Sequence, residues 1–232
     1  MRIAIFSDIH GNLPALEAVL RDIEGLGGVD AILVAGDLAF GGPHAAACVD
    51  RIRGGEFVVI RGNTDEWIVQ GSARMPMATP LVQWTRRHLS EEHIRYLEGL
   101  PFSHRIPAGG SDLVLVHATP WDIEASLLPD APEEEARKAV DAASCRVLVY
   151  GHIHRAYQRM VGERLLVNVG SVGFPMDGDP RASYGVFTYD EAGWQVELRR
   201  VEYDREQVAQ AILASDHPAK EVFVRRVRHG QP

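Results

Sequence analysis

Short apolar runs alternate with helically spaced stretches through the first third of the chain. Residues 2–7 (RIAIFS) form a brief run carrying Ile and Phe, which predicts a buried strand. From 13 to 25, Leu13, Leu16, Val19, Leu20 and Ile23 recur at helical spacing, and Pro14 suits a first turn. A second apolar run, DAILVAGDL, covers 30–38, and a helical segment at about 43–54 stops at Gly54-Gly55. A third strand is expected at 56–63, EFVVIRGN. Strand, helix, strand, helix, strand with short connections predicts parallel pairing and an α/β class.

The pattern then changes twice. Residues 64–100 are more polar and mostly helical, with Trp67 and Trp84 among them. Ser90 is a suitable cap for the last helix there, but His93 stands where a capping box takes Glu or Gln. From 101 onward FSHRI, DLVLVHATP, CRVLVYGHIH, RLLVNVGS, ASYGVFTYD and WQVELRRVEYD read as strands, broken by a helix at about 132–143. Hairpin-like strands behind a βαβ half predict two packed sheets with helices outside, a β-sandwich flanked by helices. The tail, about 204–232, holds a helix and a basic end, RRVRH, expected as a solvated face or terminal strand. No repeat or linker interrupts the chain, so residues 1–232 are expected to form one domain.

Composition narrows the function classes. Hydrophobic residues make up 46% and charged residues 24%, enough to build a sizeable core. A net charge of -8 speaks against a general nucleic-acid binder, although local cations can still serve an anionic substrate. No apolar run approaches the roughly 20 residues of a membrane-spanning helix, and the N-terminal residues lack a signal-peptide shape. Cys48 and Cys145 stand apart and outside any CxxC pair, which suits small core residues in a reducing cytoplasm. Whether the chain forms a homo-oligomer is left open by the sequence.

Five apolar runs end in the same manner. The first ends in Asp8 and His10, the second in Gly36-Asp37, and the third in Gly62-Asn63. Two later ones end in His117 and in the GHIH of His152 and His154. In an α/β sheet ligands gather outside the carboxyl ends of strands, so seven oxygen and nitrogen donors are expected to meet there. Any one of these histidines or turns is unremarkable; the joint order DxH, GD, GN, H, GHxH predicts a metal centre. Seven donors would crowd a single ion but suit two if a carboxylate bridges, and Asp37 is the most central candidate. Imidazole, carboxylate and amide without thiolate favour divalent Mn, Fe, Zn, Co or Ni. Two such ions roughly 3.5–4 Å apart activate water and clamp phosphoryl oxygens.

This order of motifs resembles the calcineurin-like metallophosphoesterase superfamily over about residues 1–190. SDIHGNLPALEAVL together with NVGSVGFPMDGDPRASYGVF (168–187) is similar to its small bacterial phosphodiesterase branch, often labelled as related to diadenosine tetraphosphatases. The resemblance implies that Asp8, His10, Asp37 and His154 hold one metal, and Asp37, Asn63, His117 and His152 the other. It implies phosphoester hydrolysis by a hydroxide between the ions, with Asn63 and His152 stabilising phosphoryl charge and His10 near the leaving oxygen. Many members carry histidine where this chain has Thr64, and that histidine is thought to assist the leaving group. Threonine cannot protonate it at neutral pH, which tilts the expectation from monoesters toward phosphodiesters with good leaving groups. Asp65 is expected either to orient His117 or a neighbour, or to sit at a helix N-terminus.

The loop holding Asn168, Gly170, Ser171 and Gly173 either contacts phosphate through its N–H groups and the Ser171 hydroxyl or simply supports the metal site. Arg181 is a candidate phosphate clamp, and Asn12 either reaches substrate or caps the helix after it. His44 is the spare histidine nearest the site, while His88, His93, His104, His217 and His229 are expected on solvated faces. Trp67 and Trp121 suit nucleobase stacking or, more commonly, core packing. The expected partner is therefore a small phosphorylated molecule, such as a nucleotide. The alternatives are a dinucleoside polyphosphate hydrolase, a protein phosphatase, or a non-catalytic interaction module on the same fold; the complete donor set favours catalysis.

Overall fold

Two five-stranded sheets lie face to face, each covered outside by helices, in a computed structural model that describes residues 1–231. The first sheet starts with β1 (Arg2–Phe6), β2 (Ala31–Val34) and β3 (Phe57–Val59), linked through α1 (Leu13–Glu24) and α2 (Ala45–Arg53). These three strands pair in parallel, as the repeated strand–helix order requires. Helices α3 (Asn63–Gln70), α4 (Thr79–Arg87) and α5 (Glu91–Glu98) follow, with a single 3-10 turn at Pro76–Ala78. The second sheet collects β4 (Ser103–Ile106), β5 (Leu113–Val116), β6 (Val147–Tyr150), β7 (Tyr157–Val161) and β8 (Arg164–Asn168), with α6 (Glu133–Ala143) on its outer face. The chain then returns to the first sheet through β9 (Ala182–Asp190) and β10 (Gly193–Val201), and ends in α7 (Arg205–Ala214) and α8 (Lys220–His229). Strand order is β10-β9-β1-β2-β3 in one sheet and β4-β5-β6-β8-β7 in the other.

Strand alternation explains why the sheets stack. Ile3 and Ile5 of β1 point into the space between the sheets, while Ala4 and Phe6 point to the helices. In β5 and β6, Leu113, Leu115, Val147 and Val149 face inward, and Val114, Val116, Leu148 and Tyr150 face α6. Both faces of these strands are therefore apolar, the pattern of a sheet buried on two sides. On the described residues no helix is long and apolar enough to cross a membrane. Both cysteines are free and buried, and burial pushes the Cys145 thiol up to about 11.

Several expectations need correction. The second and third strands are shorter than 30–38 and 56–63, because the chain leaves the ladder at Gly36 to build the site. β7 is a strand the sequence pattern does not predict: its short YQRMV run sets Gln158 and Met160 outward, and its hairpin is signalled only by the Gly162-Glu163 turn. The basic end is neither a terminal strand nor simply a solvated face. It is a helix, α8, whose Phe223, Val224 and Val227 join the first core. His93 does complete a capping box: Ser90 N–H donates to its Nδ1 at 3.1 Å, while His93 N–H donates to Ser90 Oγ at 3.3 Å. His93 and His217 are both buried rather than solvated, and His217 Nε2 donates to the Gly41 carbonyl at 2.9 Å.

Phe187 is fully buried between the sheets. Phe187→Ala is expected to cost about 3–5 kcal/mol, read as a lowered midpoint in urea denaturation.

Candidate metal centre

The carboxyl ends of β1, β2, β3, β5 and β6 all open on one rim, and beyond them the loops stay zipped together. Asp8 N–H donates to the Gly36 carbonyl at 3.0 Å, and His10 N–H to the Asp37 carbonyl at 2.9 Å. In the second sheet Gly151 N–H donates to the His117 carbonyl at 3.0 Å. Three bonds then tie sheet to sheet. His117 Nδ1 meets the Ala35 carbonyl at 2.7 Å, His152 N–H donates to Asp8 Oδ2 at 2.9 Å, and Gly173 N–H donates to the Asp8 carbonyl at 2.9 Å.

Backbone geometry at the rim is unusual. Asp8, His10, Asp37, His152 and His154 have φ between 51° and 67°, and among the described residues only Ser144 joins them outside glycine. The left-handed region is disfavoured for side chains with a Cβ, so five occurrences on one rim mark a strained, functional turn system. Two glycines make room for it. A Cβ on Gly62 would fall onto the Asp37 carboxylate, and one on Gly151 onto Ser7 Oγ and the Asp8 carboxylate.

Proton positions follow from backbone carbonyls, which can only accept. His10 Nδ1 lies 2.9 Å from the Phe40 carbonyl, and His154 Nδ1 lies 2.6 Å from that of Phe174. His117 is held in the same way by Ala35, so in each neutral ring Nδ1 carries the proton and Nε2 turns a lone pair inward. His152 is reversed: its Nε2 meets the Glu124 carbonyl at 3.0 Å, which leaves Nδ1 facing in.

The inward atoms are therefore acceptors facing acceptors. His10 Nε2 and His154 Nε2 are 3.1 Å apart, and His154 Nε2 is 3.2 Å from Asp8 Oδ1. Asn63 Oδ1 lies 2.9 Å from His117 Nε2 and 3.1 Å from His152 Nδ1. Asp37 Oδ2 is 3.5 Å from His10 Nε2, and its Oδ1 is 3.6 Å from His117 Nε2. Asp8 Oδ1 is buried with no hydrogen-bond partner. Lone pairs packed this closely, without protons between them, repel unless cations sit among them. The donor set fits divalent metal ions. Two overlapping groups have ligand atoms close enough for one ion each: Asp8, His10 and His154, and Asp8, Asp37 and His117. They overlap at Asp8 rather than at Asp37, although Asp37 spans the gap between His10 and His117.

Electrostatics at the rim follow from this crowding. Burial alone would raise Asp8, but His154 and His10 hold it well below the usual carboxylate range. Burial likewise works to lower His117, and the Asp37 and Asp8 carboxylates overcome it to raise the ring. Burial, reinforced by His117, pushes His152 down to about 4. Burial and the Asp37 carboxylate push Asp65 up to about 7.

A sequence model of the calcineurin-like phosphoesterase superfamily domain matches residues 1–192. The chain belongs to that superfamily. It is 30% identical to a metallophosphoesterase from Sphaerobacter thermophilus whose crystal structure superposes with a TM-score of 0.79, covering 99% of each chain. An uncharacterized protein of Methanocaldococcus jannaschii is 29% identical over 93% of both chains. The phosphodiesterase YfcE of Escherichia coli is 27% identical over 82% of this chain and 89% of its own length. The motifs thus keep company with the small bacterial phosphodiesterases they resemble.

Within this calcineurin-like scaffold the supporting residues take the structural side of the readings the sequence left open. Asp65 orients Asp37, not His117: its carboxylate accepts from Asp37 N–H at 2.8 Å, Leu38 N–H at 2.9 Å and Gly62 N–H at 2.9 Å, capping α3 as well. Asn12 is a fully buried cap, accepting from Ala15 N–H at 3.2 Å and donating to the Gly173 carbonyl at 2.9 Å. Ser171 is equally enclosed, its hydroxyl donating to the Asp8 carbonyl and accepting from Phe174 N–H, both at 2.8 Å. Neither has a free group for substrate, so the loop of 168–174 supports the site. Arg181 is clamped by Asp179 through Nε at 3.0 Å and Nη2 at 2.7 Å, which holds Asp179 down at about 2. That arginine is already neutralised. His44 N–H donates to the Gly11 carbonyl, burial keeps its ring below the ordinary histidine value, and its Nδ1 has no partner.

Trp67 and Glu124 went unassigned as site supports. Trp67 Nε1 donates to Glu124 Oε1 at 2.7 Å, and the Glu124 carbonyl sets the His152 tautomer. Nothing in the local sequence of 119–128 signals that role. Trp121 is not core: it is 43% exposed, with the Lys138 ammonium 4.5 Å from its ring centroid.

Because a methyl at 62 has no space beside Asp37, Gly62→Ala is expected to cut bound metal about tenfold or more. Elemental analysis after dialysis against limiting metal measures it.

Proposed function

We propose that this protein is a cytoplasmic, dinuclear metal-dependent phosphodiesterase acting on a small phosphorylated molecule. The single observation that carries the reading is the inward set of lone pairs: Asp8 Oδ1, without a hydrogen-bond partner among the described residues, lies 3.2 Å from His154 Nε2, which is 3.1 Å from His10 Nε2. Asp8, His10, Asp37 and His154 would hold one ion, and Asp37, Asn63, His117 and His152 the other, with Asp37 and Asp8 between them. When bound, such ions supply Lewis-acid activation of water and neutralise phosphoryl oxygens, and the thiolate-free donors suit Mn, Fe, Zn, Co or Ni.

The chain's own contributions are orientation and hydrogen bonding. Asn63 turns Oδ1 to His117 and His152, and among the described residues its Nδ2–H groups make no bond, leaving them for a phosphoryl oxygen. His152, pinned by Glu124, presents Nδ1 on the same side. His10 lies at the rim but is tied to Phe40, so it has little freedom to move a proton. What supports one domain over residues 1–232 is that α7 and α8 contribute Val208, Ile212 and Phe223 to the first core.

Thr64 supports the preference for diesters. Its N–H donates to Asp37 Oδ1 at 2.9 Å, and its hydroxyl is buried without a partner. A threonine there offers no acid for an alkoxide leaving group, so esters that depart as stable anions are favoured. The complete ligand set speaks against a purely non-catalytic module.

Metal-reconstituted protein is expected to turn over bis(p-nitrophenyl) phosphate faster than p-nitrophenyl phosphate, and Asp37→Asn to lose about 10²-fold or more of that rate together with metal. No turnover by fully loaded protein would refute the reading. Thr64→His is expected to raise the monoester-to-diester rate ratio by about tenfold, the low end of general acid catalysis; an unchanged ratio removes the leaving-group argument.

A further inference from the structure

Each inward-facing histidine of the rim is aimed by one backbone carbonyl, and the four carbonyls are not braced alike. Those that hold His117 and His152 belong to Ala35, buried between the sheets, and to Glu124, in the loop between β5 and α6. Those that hold His10 and His154 belong to Phe40 and Phe174. Both of these stand in loops that touch the C-terminal segment beyond residue 192, where the family match ends. Phe223 of α8 packs edge-on against the Phe174 ring, with centroids 5.0 Å apart.

The Phe40–Gly41 peptide is gripped at both ends. Its carbonyl faces His10 Nδ1 at 2.9 Å, and its N–H donates to Thr85 Oγ1 of α4 at 3.1 Å. The next carbonyl, that of Gly41, accepts from His217 Nε2 at 2.9 Å. His217 stands between α7 and α8, and its Nδ1 accepts from Ala219 N–H at 2.9 Å, so the neutral ring carries its proton on Nε2. The ring is buried beside Trp84 and Phe223, with centroids 4.7 and 4.6 Å away. Gly41 has φ 83°, and a Cβ there would strike the Phe223 ring. A glycine turns with little resistance unless its neighbours hold it, and here His217 does.

We infer that His217 is a positioning residue for one metal position, that of Asp8, His10 and His154, and that the α7–α8 turn tunes this position without reaching the other. The inference rests on the dinuclear reading. With the Gly41 carbonyl released, the Phe40 carbonyl loses its hold on His10. That ring then no longer keeps its proton on Nδ1, and its Nε2 lone pair is offered less often to an ion. The Phe40 ring also packs edge-on against Trp67 at 5.8 Å, but Trp67 holds the Glu124 side chain and not the carbonyl that meets His152. A segment beyond the family match thus sets how unequal the two ions are.

Calorimetric titration of the full-length protein with Co²⁺, with uptake counted by elemental analysis, separates the two ions. Wild type is expected to take up both. His217→Phe keeps a ring against Trp84 and Phe223 but donates nothing. It is expected to weaken one ion about tenfold, the low end for losing a ligand's outer partner, and to leave the other unchanged. His217→Gln, whose amide can reach the Gly41 carbonyl, is expected to restore the wild-type value. With His154→Ala, which removes the gripped position, His217→Phe is expected to change nothing at the remaining ion. Equal weakening of both ions, weakening of neither, failure of His217→Gln to restore binding, or an effect that persists with His154→Ala overturns the inference and spares the dinuclear reading. Wild type that takes up a single ion overturns both. Thermal melting checks folding, and should His217→Phe unfold, His217→Asn, which still accepts from Ala219 N–H but is too short to reach Gly41, decides by the same comparison.

Discussion

Lone pairs brought face to face inside a protein are the constraint from which the rest of this molecule follows. Asp8 and Asp37 are buried carboxylates, and His10, His117 and His154 turn unprotonated nitrogens toward them. Each proton that might separate these atoms has been drawn outward by a backbone carbonyl. Burying such groups without cations is unfavourable, since the desolvation cost is not offset by any internal donor. The rim is thus built for ions before any substrate is considered.

The sandwich makes that arrangement affordable in structural terms. The apolar layer between the sheets, with Ile5, Leu33, Leu115, Val149 and Phe187, fixes their separation. Five strand ends then project ligands from two rigid edges. Left-handed turns aim the side chains across the gap, and the loops bond to each other where the ladders stop. Strain at five residues is tolerable because a large, dry core lies directly beneath it.

Much of this was legible in the chain. An apolar run closing on Asp, Asn or His says where ligands stand, and the unbroken apolar runs of β5 and β6 say that both sheet faces are covered. What the sequence hid is direction. Asn12, Ser171 and Arg181 are polar residues beside the site, and nothing in their spacing distinguishes a side chain facing substrate from one consumed by the backbone. Likewise the His93 capping box needs a ring nitrogen to play the part of a carboxylate, which residue-type rules do not anticipate. β7 escaped because its run is short, with Gln158 and Met160 outward and Arg159 between them, and its hairpin turn is a lone Gly162. Asp8 and His10 adopt positive φ although neither is glycine, and only tertiary bonds from the facing strands hold them there.

The same distinction explains where substrate selectivity should lie. On the proposed reading the candidate ligands and their carbonyl partners would be spent on holding ions, and would recognise a phosphoryl group and little else. Thr64 adds nothing to the departing oxygen, and its amide is already bound to Asp37. Discrimination must then come from groups outside the cage, on elements free to differ between relatives that share it. The final two helices are such an element: they extend past residue 192, where the family match ends, and Phe223 packs on Phe174, whose ring lies 5.6 Å from that of His10. A chain with net charge -8 has few places to welcome an anion. The metal cage is one of them, because divalent ions held there would invert the local sign of the charge.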